Sequence, residues 1–525
     1  MSTSPTSEPT GAPELSPARQ WAALAVLMSG VLVISIDNTV LGFAVPALSA
    51  DLRPSATELL WIVDAYAFVL AGLLITMGNL GDRIGRRRLL LTGAAGFALA
   101  STVAAFATSP TMLIAARALL GVAGATLMPS TLSLIRTIFP DPARRRVAIG
   151  VWTSGFAVGA ALGPIVGGWM LEHLWWGSVF LLAVPVMGVL LVAGPFLLPE
   201  SRNDAPGPFD PRSSLLSFGA VLPVVYAMKQ TAEEGPTLGL AALALVGAAV
   251  GVVFVRRQQR LAEPMLDVTL FEHRPFATAI VTNLLSNLAF VGAIFLVAQY
   301  LQLVLDLGPL AAGFHLLPGM AAAFVASLGA AALLRWASPG SIIAAGLTAT
   351  SLGFLVLLLL DGAADGHWIT LGMAFVAFGA SGASSLGANL VMAIVPARRA
   401  GSASAVSETA FELGAAVGIA VLGSLTSAVY RRRIDLDDLG LGAAADRAAD
   451  TLAEATEVSA DLAPAVANDV LAAAHDAFAA GLRSAGLLAA VLMLGGAVLA
   501  HRSLRSTRPT GVASTAEPAA GTAAT

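Results

Sequence analysis

The sequence predicts an all-α polytopic membrane protein, and three observations carry that prediction. The mean hydropathy of the 525-residue chain is +0.80, with 57% hydrophobic and only 12% charged residues, whereas a soluble domain carries about a quarter charged. Apolar runs recur along nearly the whole length, and roughly 20 helical residues suffice to cross a hydrocarbon core about 30 Å thick. The runs lack the period-2 alternation of a membrane barrel, so they read as helices that satisfy their own backbone groups.

In chain order, residues 1–18 are rich in Ser, Thr and Pro and read as a disordered tail. The first apolar run, 21–45, follows this polar lead and is long enough to stay as an anchor, so no cleavable signal peptide is evident. Runs at 58–80, 89–108, 111–135, 147–171 and 177–198 complete a first group. The Pro-rich "PESRNDAPGPFDPRSS" (199–214) interrupts the pattern. Two runs follow at 214–229 and 238–255, the first of them short, and the arginine-bearing stretch 256–275 closes this part. Runs at 276–304, 310–334, 341–360, 368–394 and 403–429 come next. The Ala-rich segment 430–483 carries more acids than arginines and reads as an external helical hairpin or flap with a solvated surface. A last run, 481–500, makes fourteen, before a Thr-, Ala- and Gly-rich tail at 506–525.

Charge sets the expected orientation. Most of the 29 Lys and Arg fall in alternate short loops, among them Arg83 and Arg86 to Arg88, Arg144 to Arg146, Arg256 to Arg260 and Arg398 to Arg399. Short cytoplasmic loops carry such an excess, so both termini are placed inside a bacterial-type cell membrane. The arginines form no continuous basic face, and nucleic acid is not indicated. Zero cysteines exclude disulfides and thiolate chemistry. The only lysine, Lys229 in "AMKQT", leaves no G-x4-G-K-[ST] loop, so ATP is not the energy source. No metal-ligand or nucleophile–base set appears, which argues against an enzyme.

Within the loop between the second and third runs, "GNLGDRIGRRR" (78–88) packs five charges into positions 82–88. Its glycines allow a tight turn and close helix approach. Its Asp is suited to a facing helix N-terminus and to an arginine. The string fits G-x-L-x-D-R-x-G-R-[KR]-x at Gly78, Leu80, Asp82, Arg83, Gly85, Arg86 and Arg87, which resembles the loop signature of the major facilitator superfamily. In span five, Gly150, Gly159, Gly163, Pro164, Gly167 and Gly168 resemble the antiporter motif of drug exporters. Small residues at this spacing also make a generic packing seam, and Pro164 supplies a bend. With "IDNTVLGFAVPAL", "LWIVDAYAFVLAGLL", "ARALLGVAGATLMPSTLSLI" and "GSASAVSETAFELGAAVG", residues 20 to 500 resemble fourteen-helix drug:proton antiporters of the QacA type.

The resemblance implies a major facilitator fold: two six-helix bundles at 19–200 and 275–505, joined by a two-helix linker at 201–274, with the insertion 430–483 outside. It implies that the 78–88 loop latches one state of a rocking transporter. It implies a monomer that exchanges protons for hydrophobic, mostly cationic small molecules and needs no cofactor. A dedicated exporter of an endogenous metabolite or antibiotic, or a facilitative transporter, would share the fold.

Charges inside spans are the place to look for mechanism, because each costs at least about 2.5–3.5 kcal/mol at membrane depth. Asp37, Asp64, Arg117, Glu408 and Glu412 are the candidates. At 1.5 Å per residue Asp37 lies roughly 24 Å along span one from Trp21, a depth that Arg117 on span four can match. Their pairing is either structural or, as the resemblance implies, a proton or cation site with its coupling partner. Glu408 and Glu412 are four apart and share a helix face. Two carboxylates in an apolar cavity cannot both ionise cheaply, so at least one is expected to hold a proton. Glu408 alternatively snorkels to water, and Asp64 is either a site or merely interfacial. Trp61, Tyr66, Met128, Trp152, Phe290, Met392 and Phe411 are candidates to line a greasy cavity, or else to pack or face lipid.

Overall fold

The computed structural model describes residues 15–54, 56–202, 210–235, 237–261, 264–360, 366–396, 399–436, 439 and 441–504. The expected tails lie almost wholly outside these residues, although Pro17 already opens the first helix. The first half comprises α1 (Pro17–Leu52), α2 (Ala56–Ile84), α3 (Arg86–Ala105), α4 (Pro110–Ile138) and α5 (Pro142–His173). A sixth span is formed by α6 (Ser178–Leu181) running into α7 (Ala183–Leu197). Then come α8 (Pro211–Glu234) and α9 (Leu238–Arg260). The second half holds α10 (Arg274–Gln299), ending in a π turn at Tyr300–Val304, α11 (Pro309–Leu333), α12 (Pro339–Leu357), α13 (Gly366–Ile394) and α14 (Ala400–Arg433). Short helices α15 (Ala443–Asp450) and α16 (Leu452–Ala460) precede α17 (Pro464–Leu504). No strand occurs among the described residues.

Local chemistry explains the boundaries. Prolines occupy the first turn of α1, α4, α5, α8, α10, α11 and α12, where the missing N–H costs nothing. Side-chain caps start six α-helices: Ser109 accepts from Met112 N, Asp141 from Arg144 N, Asp210 from Ser213 N, Thr237 from Leu240 N, Ser338 from Ser341 N and Thr451 from Glu454 N.

Thirteen helical stretches among the described residues are long and apolar enough to cross a membrane. The fourteenth expected span, α8, is 24 residues long, about 36 Å, but its sequence ends in Lys229, Gln230, Glu233 and Glu234. It packs against α9, α2 and α14.

In the first half α1 packs on α5, α4 on α2 and α3, and α3 on α7; in the second, α13 packs on α11, α12 and α10, and α14 and α12 on α17. Small residues set the spacing: a Cβ on Gly353 would stand 2.6 Å from Gly372 O, and one on Gly346 2.8 Å from Gly379 O. One hydrophobic core fills the first half and continues into Phe276, Ala388, Met392 and Ala403, at the arginine-rich ends of α10, α13 and α14. A second core is confined to the second half. The halves therefore fuse at their arginine-rich end.

The 430–483 insertion is not a free-standing flap. Leu452, Ala455, Val458, Val470 and Ala474 are buried in the second core, and α17 is one helix of 41 residues. The span expected at 481–500 thus begins at Pro464, because apolar positions facing α16 continue the face that packs on α14. Tyr430 Oη donates to Ala448 O at 2.8 Å, tying α15 to the end of α14. Tyr430→Phe removes a bond worth about 0.5–1.5 kcal/mol. Limited proteolysis should then cut within 437–463 several-fold faster, with the melting temperature of the bundle nearly unchanged.

Candidate functional site

Between the halves lies a cavity of about 340 Å³. Its walls are Ser35 and Thr39 from α1, Met128 from α4, Phe156 from α5, Phe290 from α10, Ser384 from α13, Glu408 and Glu412 from α14 and Val225 from α8. A mostly apolar chamber with a few polar groups is the usual form of a small-molecule site. Phe156 and Phe411 stack across the halves at 6.1 Å and 17°. Asn287 Nδ2 donates to Phe411 O at 2.7 Å, fixing the α14 backbone between the two glutamates. Of the aromatic and Met candidates, Met128, Phe290 and Phe411 line the chamber. Trp152 and Met392 are core residues, and Trp61 stacks on Tyr226 of α8.

Glu408 is 2% exposed, so it does not snorkel. Its Oε1 has no hydrogen-bond partner, and the same holds for Thr153 Oγ1 and Ser286 Oγ on the opposite walls. Three polar atoms therefore present unmet hydrogen-bonding capacity beside one apolar chamber. Glu412 follows one helical turn later on the same wall.

The structure brings Asp37 and Arg117 together: Arg117 Nη1 donates to Asp37 Oδ2 at 2.6 Å. Arg117 is fully inside the bundle, and its Nε and Nη2 also donate to Ile62 O and Val63 O of α2 at 3.1 and 3.4 Å. One guanidinium thus ties α1, α2 and α4. Its remaining face lies over the Tyr66 ring, with Cζ 4.8 Å from the centroid. Asp64 is buried, not interfacial. It is not among the residues that line the chamber, although one turn later Phe68 packs with Val225 and Ala416, which are.

The glycines of span five face α1. A Cβ on Gly159 would stand 2.5 Å from Ser35 Cβ, one on Gly163 would overlap the Thr39 hydroxyl, and one on Gly167 would reach Val40 at 2.9 Å. Ser35 Oγ donates to Phe156 O at 2.7 Å across this seam. Gly168 meets nothing within 4 Å, and the Pro164 side chain lies outside the described residues. Gly150 instead meets the second half: a Cβ on it would stand 2.6 Å from Ser327 O, while Ser327 Oγ donates to Gly150 O at 2.9 Å.

The 78–88 loop closes the arginine-rich end. Asp82 Oδ1 accepts from Gly401 N and Oδ2 from Ser402 N, both at 3.1 Å. No side chain of its own element caps α14, so a carboxylate 319 residues away satisfies its first amides and faces the positive helix end. Arg86, itself buried, donates to Asp82 Oδ1 through Nε and Nη2 at 2.9 and 2.7 Å. Gly78 lets the helices cross: a Cβ there would stand 2.5 Å from Ala405 Cβ and 2.6 Å from Gly401 O. Arg83 donates to Asn79 Oδ1 at 3.1 Å, within its own helix.

Sequence reasoning missed Glu200. Its Oε1 accepts from Arg87 N at 3.1 Å and Ser201 N at 3.0 Å. Gly85 has φ of 108°, and a Cβ there would strike Glu200 Oε1 at 2.6 Å. Arg86 N donates to Ser201 O and Arg87 Nη1 to Leu198 O. The end of α7 thus splints the loop. The only signal was an acid directly after "FLLP" at the end of an apolar run, 113 residues from its partner.

Asp82→Asn leaves an amide that cannot accept from both α14 amides and Arg86. Removing one partner of a buried pair costs about 3–5 kcal/mol. Transport of every substrate should fall at least about tenfold while equilibrium binding in detergent stays within about twofold; the converse result would remove the latch role. Gly163→Ala should lower the melting temperature by several degrees through overpacking of about 1–3 kcal/mol, whereas Gly168→Ala should leave it unchanged.

Comparison with known proteins agrees with this geometry. The profile of the Major Facilitator Superfamily matches residues 27–419. The chain is 48% identical over 495 residues to the multidrug efflux pump LfrA of Mycolicibacterium smegmatis, covering 93% of this chain and 97% of that one. It is 36% identical over 484 residues to the methyl viologen resistance protein SmvA of Salmonella typhimurium, covering 91% and 97%. In fold it is similar to the human organic anion transporter MFSD10, with a TM-score of 0.64 at 14% identity over 93% of this chain and 100% of that one. A glycine-packed pair of helical halves around one chamber, joined at one end by the 78–88 loop, thus accompanies a match across most of the chain: it belongs to the major facilitator superfamily and is a multi-pass membrane transporter, not an enzyme.

Proposed function

We propose that the protein is a proton-coupled antiporter that exports hydrophobic, mostly cationic drugs or dyes by alternating access. The observation that carries this reading is a pair of carboxylates, Glu408 and Glu412, in one apolar chamber between the halves. Similarity to a multidrug efflux pump and to a methyl viologen resistance protein supports it, since methyl viologen is a planar aromatic dication. In this reading residues 19–200 and 275–505 rock about the chamber as two bundles, 201–274 links them, and no cofactor takes part. The arginine-rich end faces the cytoplasm, so the sealed latch corresponds to an outward-facing state.

The chemistry is charge replacement. In an apolar chamber the neutral carboxyl is favoured, and a cation beside it restores the ionised form. Exchange of one proton for one monovalent cation moves no net charge, avoiding a cost of about 2.3 kcal/mol per 100 mV per charge. Protons and cations therefore compete: acid returns the proton and displaces the dye.

Affinity for a monovalent cationic dye should fall as pH is lowered from about 8.5 to 5.5, by up to about tenfold per unit once the pair titrates. Glu412→Gln should flatten that profile and weaken cations more than neutral compounds. Asp210 and Asp267 of the linker do not contribute over this range. Burial pushes Asp267 upward, but bonds from Thr269 and the Arg399 guanidinium outweigh it and hold it below the ordinary carboxylate range. Asp210 behaves likewise, held down by Ser213 and Arg257 against burial. A depressed group loses its contribution only as pH falls through its lowered value, below the window tested. Identical profiles for wild type, Glu408→Gln and Glu412→Gln would instead favour a facilitative transporter or an exporter of uncharged compounds.

A further inference from the structure

The Asp37–Arg117 pair and the chamber glutamates belong to different halves, and Tyr66 lies between them. Its side chain is 1% exposed, and its hydroxyl has no hydrogen-bond partner. A buried polar atom left unpaired calls for an explanation. The ring runs from beneath Arg117 towards Gly124, where an added Cβ would stand 3.1 Å from Oη. Gly124 is two turns along α4 from Arg117 and one turn before Met128, a chamber residue. Oη therefore points from the ion pair towards the chamber. The charged groups acting on it are Asp37 from α1, Arg117 from α4 and Glu412 from α14. Asp64, two residues away on α2, projects about 200° round the helix. Arg117 lies over the ring and is itself fixed by donating to the α2 carbonyls of Ile62 and Val63, so the ring is packed against the same cation that pairs with Asp37.

We propose that the Tyr66 hydroxyl is the proton bridge between the Asp37–Arg117 pair of the first half and the Glu412 carboxyl of the second, with water completing the path. The transfer is concerted. Glu412 releases its proton towards Tyr66 Oη, the hydroxyl passes its own proton to the Asp37 carboxylate, and tyrosine ends as it began. One proton leaves Glu412 and one arrives on Asp37, so no phenolate accumulates and no further reactant is needed. Protonated Asp37 releases its charge on Arg117, which keeps its bonds to α2. The state of the chamber is thereby reported to the α1–α2–α4 junction. Only a hydroxyl, not ring volume, is required for this step.

The inference rests on the proton-exchange reading, and the test separates the two. Wild type and Tyr66→Phe are reconstituted in proteoliposomes and assayed three ways: dye affinity against pH, efflux driven by a pH gradient, and dye counterflow without a gradient. Phenylalanine keeps the ring over Arg117. The expected result is unchanged affinity and pH profile, counterflow within about twofold of wild type, and gradient-driven efflux at least tenfold lower. Wild-type gradient-driven efflux in Tyr66→Phe would overturn the bridge. Loss of counterflow together with gradient-driven efflux would also overturn it, by making Tyr66 a packing residue. Wild type that shows counterflow but no gradient-driven efflux would defeat the proton-exchange reading itself.

Discussion

One carboxylate from the first half completes a helix of the second. Asp82 supplies the cap that α14 lacks, and Arg86 holds that carboxylate in position. Charge-assisted bonds of this kind are roughly twice as strong as neutral ones, and here all members are withdrawn from water. Their alternative is poor: separating the halves leaves two orphan amides at a helix start and a buried ion pair to hydrate. Water at the membrane surface can do that work, which is why such a closure can be both firm and reversible. Glu200 and Ser201 hold Arg86 and Arg87 from the far side, and the Arg399 guanidinium pairs with Asp267 at the end of the linker. The same short start of α14 is therefore gripped by the first half and by the segment that follows α9.

What the latch closes is made possible by absent side chains. In a bilayer, burial of apolar surface does not favour helix against helix over helix against lipid, so close fit must supply the attraction. Gly78 against Gly401 and Gly150 against Ser327 bring the halves together without interlocking side chains. Smooth backbone contacts can part and re-form at little cost. The seam of Gly159, Gly163 and Gly167 against α1 differs, since it lies within one half and presses onto Ser35, Thr39 and Val40. It holds Asp37's helix to the wall of the chamber, so its tightness fixes where the Asp37 carboxylate can stand.

Much of this was legible in the sequence, for physical reasons that also mark where reading fails. Span positions were readable because the bilayer imposes length and hydropathy on each helix separately. The Asp37–Arg117 contact was readable as a possibility from their matching depth, since a cation at equal height can offset a carboxylate inside a span. Glu408 could not be decided, because snorkelling and burial differ in which way the helix is turned, and that is set by α10, α17 and α2. Glu200 was invisible, since its partner is a backbone amide that any residue possesses. The insertion was read as separate because its charged residues stood out, whereas Leu452, Val458 and Val470 are buried in the second core. Gly168 matched a motif by spacing yet meets no neighbour, so the pattern is wider than the contact it records.

Placing the charges in two centres also limits how the molecule can work. Asp37 and Arg117 sum to no net charge, so this centre is tolerable in the membrane whichever way the chamber opens. Glu408 and Glu412 instead line the chamber itself, one helical turn apart. A chamber holding neither proton nor cation would carry unbalanced anionic charge through the closed intermediate, where water is excluded and the penalty is largest. In the proton exchange proposed above, that intermediate would be reached with a proton or a cation aboard, but not empty. Obligatory exchange would then require no dedicated gate: it would follow from the cost of carrying a bare carboxylate past the point at which both ends are shut.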